Sequence, residues 1–456
     1  MSGSSAGEIL LQDPYHPYAV RFLELAGGRG LRAVCLYTDA ADMVRNIRKF
    51  PALAGPLVSA SYLVEGRSLE DMAAHLRGHH SIQAVVPHME PTVLPLGRIA
   101  ELLDLPWAQP GVLERFRDKF ALKSYLRSVP DGPRINSIAS VTTGDDVRRA
   151  IATGDFARFV LKPNDGFGNT TIGFFDADGD PAELERYLSD RAGARLLMEE
   201  YIGGEEYFVD GQVDADGEVE SFAVWKYRRR DLNGRRAVSV GDIAVPTTDP
   251  DFGAIVDYTA RVMQASGLRS SPFHLELKVD DAGPCLIEVG ARLVGGDLAE
   301  FDPLLHGSLD MMAVALHYYL GETGHLESNL DWEHYDRNRL GTVNGISTTT
   351  GLVYEIDGLD EVEARPDFVA WAQRPRIGAR LTPTVDLLNR PWRAVVRVGS
   401  DADYDRIASE LHAGLRLNDS STGARRLVRR GLGYGPLVRS RLERMRRPPT
   451  FVVPLP

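Results

Sequence analysis

The stretch 273–297, FHLELKVDDAGPCLIEVGARLVGGD, constrains the fold most tightly, because apolar and charged side chains alternate along it with a two-residue period. That period belongs to strands with one dry face. Leu275, Leu277 and Val279 share one face of a first strand, and His274, Glu276 and Lys278 share the other. On a second strand Ile287 and Val289 alternate with Glu288, Gly290 and Arg292. Asp281, Ala282 and Gly283 suit a three-residue turn whose last position is left-handed. Such a turn would pair Asp280 with Pro284 and set Glu276 opposite Glu288. Directly opposed side chains lie roughly 4.5 to 5.5 Å apart at Cβ, where like charges oppose pairing. A cation between them removes the conflict. Carboxylate oxygens with no cysteine and few histidines nearby suit a hard ion, so magnesium carried with a nucleotide fits better than zinc. Arg292, on the face of Glu288, makes sense if an anion binds there as well.

A chain of 456 residues is long enough for two or three domains, and 43% hydrophobic with 25% charged residues is ordinary for a soluble globular protein. A formal charge of -12 argues against a general nucleic-acid binder. Cys35 and Cys285 fall in apolar runs far apart, so buried free thiols in a reducing cytoplasm are expected rather than a disulfide. The start MSGSSAGEILLQD lacks a basic, apolar leader, and no run reaches the length of a membrane span. Neither secretion nor membrane insertion is expected.

From Glu8 onward, EILLQ, LRAVCLY, PLVSASYL and IQAVVP alternate with helical patterns over 18–26, after Asp39 and from Leu69. This βαβ rhythm predicts a parallel sheet covered on both faces, with ligands beyond the carboxyl ends of its strands, near 13–16, 38–40 and 88–91. Glu90 has two readings there: a cap for the helix of LGRIAELLDL, or a contact for a substrate amine. Gly27, Gly28 and Gly30 follow a helix and precede a strand, the reverse of a dinucleotide loop, and read as a helix stop. GVLERFRDKFALKSYLRSV reads as one helix with Lys119 and Lys123 on one face. ARFVLKPNDGFGNTTIGFF reads as two strands around a loop in which Gly166 and Gly168 let backbone amides close over phosphates above Lys162. The basic run KYRRRDLNGRRAV at 226–238 reads as a hairpin loop, either a solvated tip or a flexible cover meeting phosphate or an acidic substrate. A buried helix is expected over 309–320, a small α+β unit over 344–415, and a basic tail that is either solvated or meets an acidic partner.

Several of these motifs occur together in a known family. His-x-Glu at 274–276, Ile-Glu-x-x-x-Arg at 287–292 with Gly295 and Gly296 following, Asp118-Lys119, and Glu-Glu-Tyr-Ile at 199–202 before Gly-x-Glu-Tyr-x-Val-Asp at 204–210 resemble ATP-grasp enzymes, in particular L-amino acid ligases. The resemblance spans 118–297 and implies an α/β and α+β ATP-grasp fold. It implies an N-terminal parallel βαβ domain over 1–112, an ATP-grasp A subdomain with the glycine-rich loop over 113–195, and a B subdomain with the metal site over 196–330. An α+β subdomain over 331–418 and a basic tail over 419–456 complete the expected division. The implied activity is an ADP-forming, ATP- and magnesium-dependent carboxylate–amine ligase working through an acyl phosphate on amino acids or similar molecules.

By the same resemblance Lys119 and Lys162 contact phosphates, and Glu199 with the backbone of Tyr201 and Ile202 takes adenine. Glu206 takes the ribose, Glu276 and Glu288 hold metal, and Arg292 with Lys162 serves catalysis. Glu90, His274, Arg292, Gly295 and Gly296 would face the substrates. Many ATP-grasp proteins place an Asn metal ligand where this chain has Gly290. A bicarbonate-using carboxylase and a non-catalytic nucleotide-binding scaffold are the rival readings. Expected partners are a small carboxylate and a small amine, without nucleic acid or membrane, and a homodimer is left open.

Overall fold

The run EILLQ is buried along its whole length, as a strand covered on both faces must be. The computed structural model describes residues 7–166, 172–295, 298–323 and 330–419. It opens with β1 (Glu8–Gln12), α1 (Pro17–Gly28), β2 (Arg32–Tyr37), α2 (Ala40–Lys49), β3 (Val58–Leu63), α3 (Leu69–His79) and β4 (Ile82–Val85). These strands form a parallel sheet in the order β3-β2-β1-β4. Local chemistry sets the helix ends. Asp39 accepts from the amide of Asp42 at 2.8 Å and Ser68 from that of Asp71 at 3.1 Å, each satisfying a donor that a first turn leaves free. Gly30, at φ +75°, follows α1 as the expected stop.

Next come α4 (Val93–Leu103), α5 (Val112–Arg117) and α6 (Lys119–Ser128). The single helix expected over 111–129 is therefore two. Asp118 is extended, with φ −103° and ψ 97°, and its carboxylate accepts from the amide of Ala121 at 2.7 Å. It ends one helix and caps the next, which makes Lys119 the first residue of α6. A second, antiparallel sheet follows, from β5 (Ile138–Val141), α7 (Gly144–Thr153), β6 (Arg158–Pro163), β7 (Gly173–Asp176), α8 (Pro181–Ser189) and β8 (Leu196–Glu200), in the order β5-β8-β6-β7. Phe159, Leu161 and Met198 give this sheet a core of its own with Val147 of α7.

The rest of the chain builds around one large sheet. It contributes β9 (Glu205–Val213), β10 (Val219–Leu232), β11 (Arg235–Ala244), α9 (Phe252–Ser266), β12 (Ser271–Asp280), β13 (Gly283–Gly290), α10 (Asp302–His306), α11 (Met311–Tyr319) and α12 (Trp332–Arg337). It continues with β14 (Leu340–Asn344), β15 (Gly351–Asp357), α13 (Leu359–Glu363), β16 (Phe368–Gln373), β17 (Arg380–Leu381), β18 (Arg393–Arg397), α14 (Asp401–Gly414) and β19 (Arg416–Asp419). Eight strands run β13-β12-β9-β10-β11-β14-β18-β16, and β17-β15-β19 form a separate small sheet. Three strands of the C-terminal region thus extend the sheet that carries the charged hairpin.

The basic run 226–238 is not a loop. It continues β10 into β11, with Leu232 paired to Arg235 across a two-residue turn of Asn233 (φ 52°) and Gly234 (φ 75°). Cys35 and Cys285 are buried free thiols. Among the described residues no helix is long and apolar enough to cross a membrane.

Candidate active site

Glu276 pairs with Glu288 as the alternation predicts, but by a different route. Gly283 is left-handed at φ +92° as expected, yet the turn pairs Asp280 with Gly283, and Pro284 falls opposite Val279. A bulge beyond Glu276 and Leu277 inserts one residue in β13 and restores the opposition of the two carboxylates. The extra residue is Ile287. It lines the cleft beside Glu288, whereas Leu286 and Val289 belong to the core. The expected core position of Ile287 is corrected accordingly.

The carboxylates open onto a cleft of about 920 Å³ between the second sheet and the large one, lined among others by Lys119, Lys162, Tyr201, Glu206, Glu288 and Arg292. The Glu288 side chain is 33% exposed, and its Oε1 lies 3.1 Å from Nζ of Lys119. Lys119 also donates to the carbonyl of Gly166. Oε1 of Glu276 accepts from the Tyr227 hydroxyl at 2.8 Å and lies 3.4 Å from Nε2 of His274. Burial would raise the Glu276 carboxyl, but His274 and Arg229 outweigh it and hold it at about 2. Among the described residues no three His, Cys, Asp or Glu side chains gather as a metal cage. Two carboxylates alone suit magnesium, which keeps waters and takes phosphate oxygens for the rest of its shell. A Cβ on Gly290 would sit 2.9 Å from Oε2 of Glu90, so Glu90 occupies the space a side chain there would need.

Glu199 closes the opposite wall. Its buried carboxylate meets Lys162 at 2.5 Å and makes a closer contact with Lys123. Glu199 lines the cleft while both lysines hold its carboxylate. Burial raises the Glu199 carboxyl, yet the two lysines prevail and hold it at about 2. Burial opposes the charge on Lys162 too, but Glu199 and Glu288 outweigh it and raise that ammonium. Lys123 is buried and also donates to Asn136 Oδ1 at 3.0 Å and the carbonyl of Leu286 at 2.8 Å. It ties α6, β8 and β13 together. Tyr201 has Arg158 and Lys278 over its ring at 4.1 and 4.9 Å. Ile202 is buried, and its carbonyl accepts from Lys278 at 3.0 Å. Glu206 lines the cleft with its carboxylate gripped by Arg229, Nε to Oε2 at 2.9 Å and Nη2 to Oε1 closer still.

Glu90 caps nothing. The helix after it receives no side-chain cap, and the carboxylate meets Arg117 at 2.7 Å and Nε of Arg292 at 2.6 Å. Two guanidiniums satisfy it, which corrects the capping reading and gives Glu90 the task of aiming Arg292. Nη1 of Arg292 donates to the carbonyl of Leu293 at 2.8 Å, and Nη2 has no hydrogen bond among the described residues. His274 does not line the cleft. Its Nδ1 lies 2.7 Å from Oδ1 of Asp210 and its Nε2 faces Glu276, so the expected substrate contact is corrected to a partner of a carboxylate. Gly166 lines the cleft and Gly295 is exposed with open space about it. Gly168 and Gly296 lie outside the described residues.

Sequence reasoning missed Lys123, Arg117, Asp210, Tyr227 and Arg229 as parts of this site. The signal for Asp210 was present: it stands four residues after Glu206 on one strand and so shares its face. Tyr227 and Arg229 alternate in the same way, once the basic run is read as strand.

The ATP-grasp domain family matches residues 157–300. An uncharacterised protein of Sinorhizobium fredii is 24% identical over 318 residues, 68% of this chain and 63% of its own length. Dapdiamide A synthase of Enterobacter agglomerans is 24% identical over 252 residues, 52% of this chain and 57% of its own. The chain therefore spans less than two thirds of the length of these curated relatives. Among solved structures, an L-amino acid ligase from Bacillus licheniformis superposes with a TM-score of 0.72 at 21% identity, covering 91% of this chain and 99% of that one. Residues 157–300 thus match the ATP-grasp domain family, and the chain is similar in fold to an L-amino acid ligase.

Proposed function

We propose that this protein is an ATP-dependent carboxylate–amine ligase, with ATP and magnesium as cofactors, that joins amino acids or amino-acid-like molecules through an acyl phosphate. The observation that carries the reading is the direct opposition of Glu276 and Glu288 in one cleft with Lys119, Lys162 and Arg292. The division into segments 1–112, 113–195, 196–330 and 331–418 belongs to the same proposal. Magnesium held by Glu276 and Glu288 would neutralise charge on the phosphates during transfer.

Lys119 and Lys162 would bind and orient the phosphates, Lys162 being held in place by Glu199. The backbone of Tyr201 and Ile202 would face adenine, and Glu206, fixed by Arg229, would accept from the ribose hydroxyls. A substrate carboxylate oxygen attacks the γ-phosphorus and ADP leaves. The amine then attacks the acyl carbon, and phosphate departs as the nitrogen loses its proton. Arg292, aimed by Glu90 with Nη2 free among the described residues, would stabilise the oxyanion of the second step, a contribution of about 3 to 4 kcal/mol for one well-placed donor. The names of the relatives support the amino-acid reading, and two buried free thiols fit a reducing cytoplasm.

The partial reaction tests this. The correct acid with ATP and magnesium, without any amine substrate, should give an acyl phosphate that hydroxylamine traps as a hydroxamate. A screen of amino-acid pairs, scored by phosphate release with mass detection of products, identifies the acid and the amine. A protein that binds ATP but yields hydroxamate with none of the acids tried would favour the non-catalytic scaffold.

A further inference from the structure

Three strands converge on one oxygen of Glu276. In the sheet register His274 of β12 faces Asp210 of β9, and the Tyr227 hydroxyl of β10 reaches Glu276 at 2.8 Å. Asp210 is 2% exposed, and its Oδ1 lies 2.7 Å from Nδ1 of His274. That contact fixes the ring plane. The ring also packs on Phe208 at a centroid distance of 5.2 Å, and Phe208 lies parallel to Trp225 at 6.0 Å. The imidazole is thus held by Asp210 and Phe208, with its Nε2 3.4 Å from Oε1 of Glu276. Tyr227 donates to the same Oε1, with Arg229 over its own ring at 4.1 Å. Among the described residues Oε2 of Glu276 takes no hydrogen bond.

We propose that Asp210, His274 and Tyr227 are positioning residues that tether Oε1 of Glu276 and leave Oε2 as the oxygen offered to the divalent cation. This rests on the magnesium role of Glu276 proposed above. The tether matters because a glutamate loses rotamer freedom when it is immobilised. Here that loss is met during folding rather than when the cation binds. Glu288, 33% exposed and with Lys119 as its one ion-pair partner within 4 Å among the described residues, is the adjustable member of the pair. The arrangement follows the general rule that groups behind a metal ligand set its orientation, and that their loss costs about 10- to 100-fold in metal affinity or activity.

The test uses the full chain and manganese as a spectroscopic substitute, titrated in the presence of a non-hydrolysable ATP analogue, beside the magnesium dependence of phosphate release. His274→Ala and Asp210→Asn should raise the apparent metal dissociation constant about 10- to 100-fold. Turnover should recover toward wild type at saturating magnesium. His274→Gln, which keeps an N–H donor, should restore much of the affinity, and Tyr227→Phe should weaken it by about threefold or more. Melting temperatures show which variants fold.

If His274→Ala fails to fold, His274→Gln and Tyr227→Phe decide alone. Metal binding in a folded Tyr227→Phe that matches wild type overturns the tether. A collapse of turnover in the histidine variants with metal affinity intact does the same. Failure of the parent reading looks different: wild type itself would then bind no manganese with the nucleotide analogue.

Discussion

The two walls of the cleft each present carboxylates, and they treat them in opposite ways. On the wall of the four-stranded sheet, Glu199 is buried and closed by Lys123 and Lys162, with the remaining Lys123 contacts taken by Asn136 and the carbonyl of Leu286. On the wall of the large sheet, Glu276 keeps one oxygen free among the described residues and Glu288 keeps a third of its side chain in solvent. The Glu199 cluster holds elements together, and of its two lysines Lys162 also faces the cleft. A partly satisfied carboxylate pair is poorly stable on its own and gains from a cation. The difference separates a carboxylate engaged in holding the cleft together from a carboxylate pair open to a cation.

Breaking the open wall should silence the enzyme and spare the fold. Glu288→Gln removes a charge from a part-exposed site while keeping volume, so stability should move by no more than about 0.5 kcal/mol, as for other surface changes. ATP turnover should fall below detection. Phosphate release near the wild-type rate at saturating magnesium would sink the metal assignment. Glu276→Gln should be the milder of the two, because its amide still occupies the tethered position between Tyr227 and His274.

Breaking the closed wall should cost stability. Glu199→Gln leaves two buried ammonium groups facing a neutral amide, and removing one partner from such a cluster costs about 3 to 5 kcal/mol. Urea unfolding should show it as a lower midpoint. The pH dependence has a definite sign. The folded carboxyl is held at about 2, below its unfolded value of 4.5. Its stabilisation is therefore complete above the unfolded value and is lost as the pH falls towards 2. Glu199→Gln should flatten that part of the acid limb. An unchanged urea midpoint would mean that the triad contributes nothing and that the two walls do not differ as described.

Arg292→Ala comes next in size. It removes the donor aimed by Glu90 without touching Lys119, Lys162 or Glu206. Amide formation should drop about a hundredfold or more, within the range for one oxyanion donor. ATP affinity by calorimetry should stay within a few-fold of wild type. Amide formation at the wild-type rate would place the anion stabiliser elsewhere.

The contrast between the walls also explains what the sequence revealed. Alternation with a turn pairing Asp280 to Pro284 placed Glu276 opposite Glu288, and βαβ rhythm placed the parallel sheet, because both rest on local patterns. The register at the turn was off by one and a bulge at Ile287 compensated, since a bulge depends on packing around the strand rather than on its pattern. The break at Asp118 was less visible because helical spacing continues through it; only the extended backbone and the bond to Ala121 reveal the second start. The sequence shows Lys123 only as sharing a face with Lys119, and Glu90 as a cap or an amine contact, for one shared reason. Their partners, Glu199 and Leu286 for the first and Arg117 and Arg292 for the second, are brought in from other segments. Local motifs announce which residues could act, and only the fold tells which are already engaged.

The smallest predicted effect tests a residue that belongs to both categories. Glu206 lines the cleft, yet Arg229 grips both of its oxygens, one at 2.9 Å. A carboxylate oxygen has more than one lone pair, so a ribose hydroxyl can still donate to one that already accepts from a guanidinium. Ribose contacts are the same before and at the transition state, and such uniform binding lowers KM without raising kcat. Glu206→Ala should therefore raise the KM for ATP by roughly three- to tenfold, a loss of about 1 kcal/mol, in line with one hydrogen bond. Turnover at saturating ATP should hardly change. Glu206→Gln should fall between, since its amide oxygen can still accept from the ribose while the ion pair with Arg229 is gone. Arg229→Lys then separates gripping from binding. If Arg229 serves only to aim Glu206, this variant should resemble Glu206→Gln in KM. A fall in kcat with KM unmoved would put Glu206 among the groups acting on the transferred phosphoryl group, and the open wall would extend one strand further than drawn here.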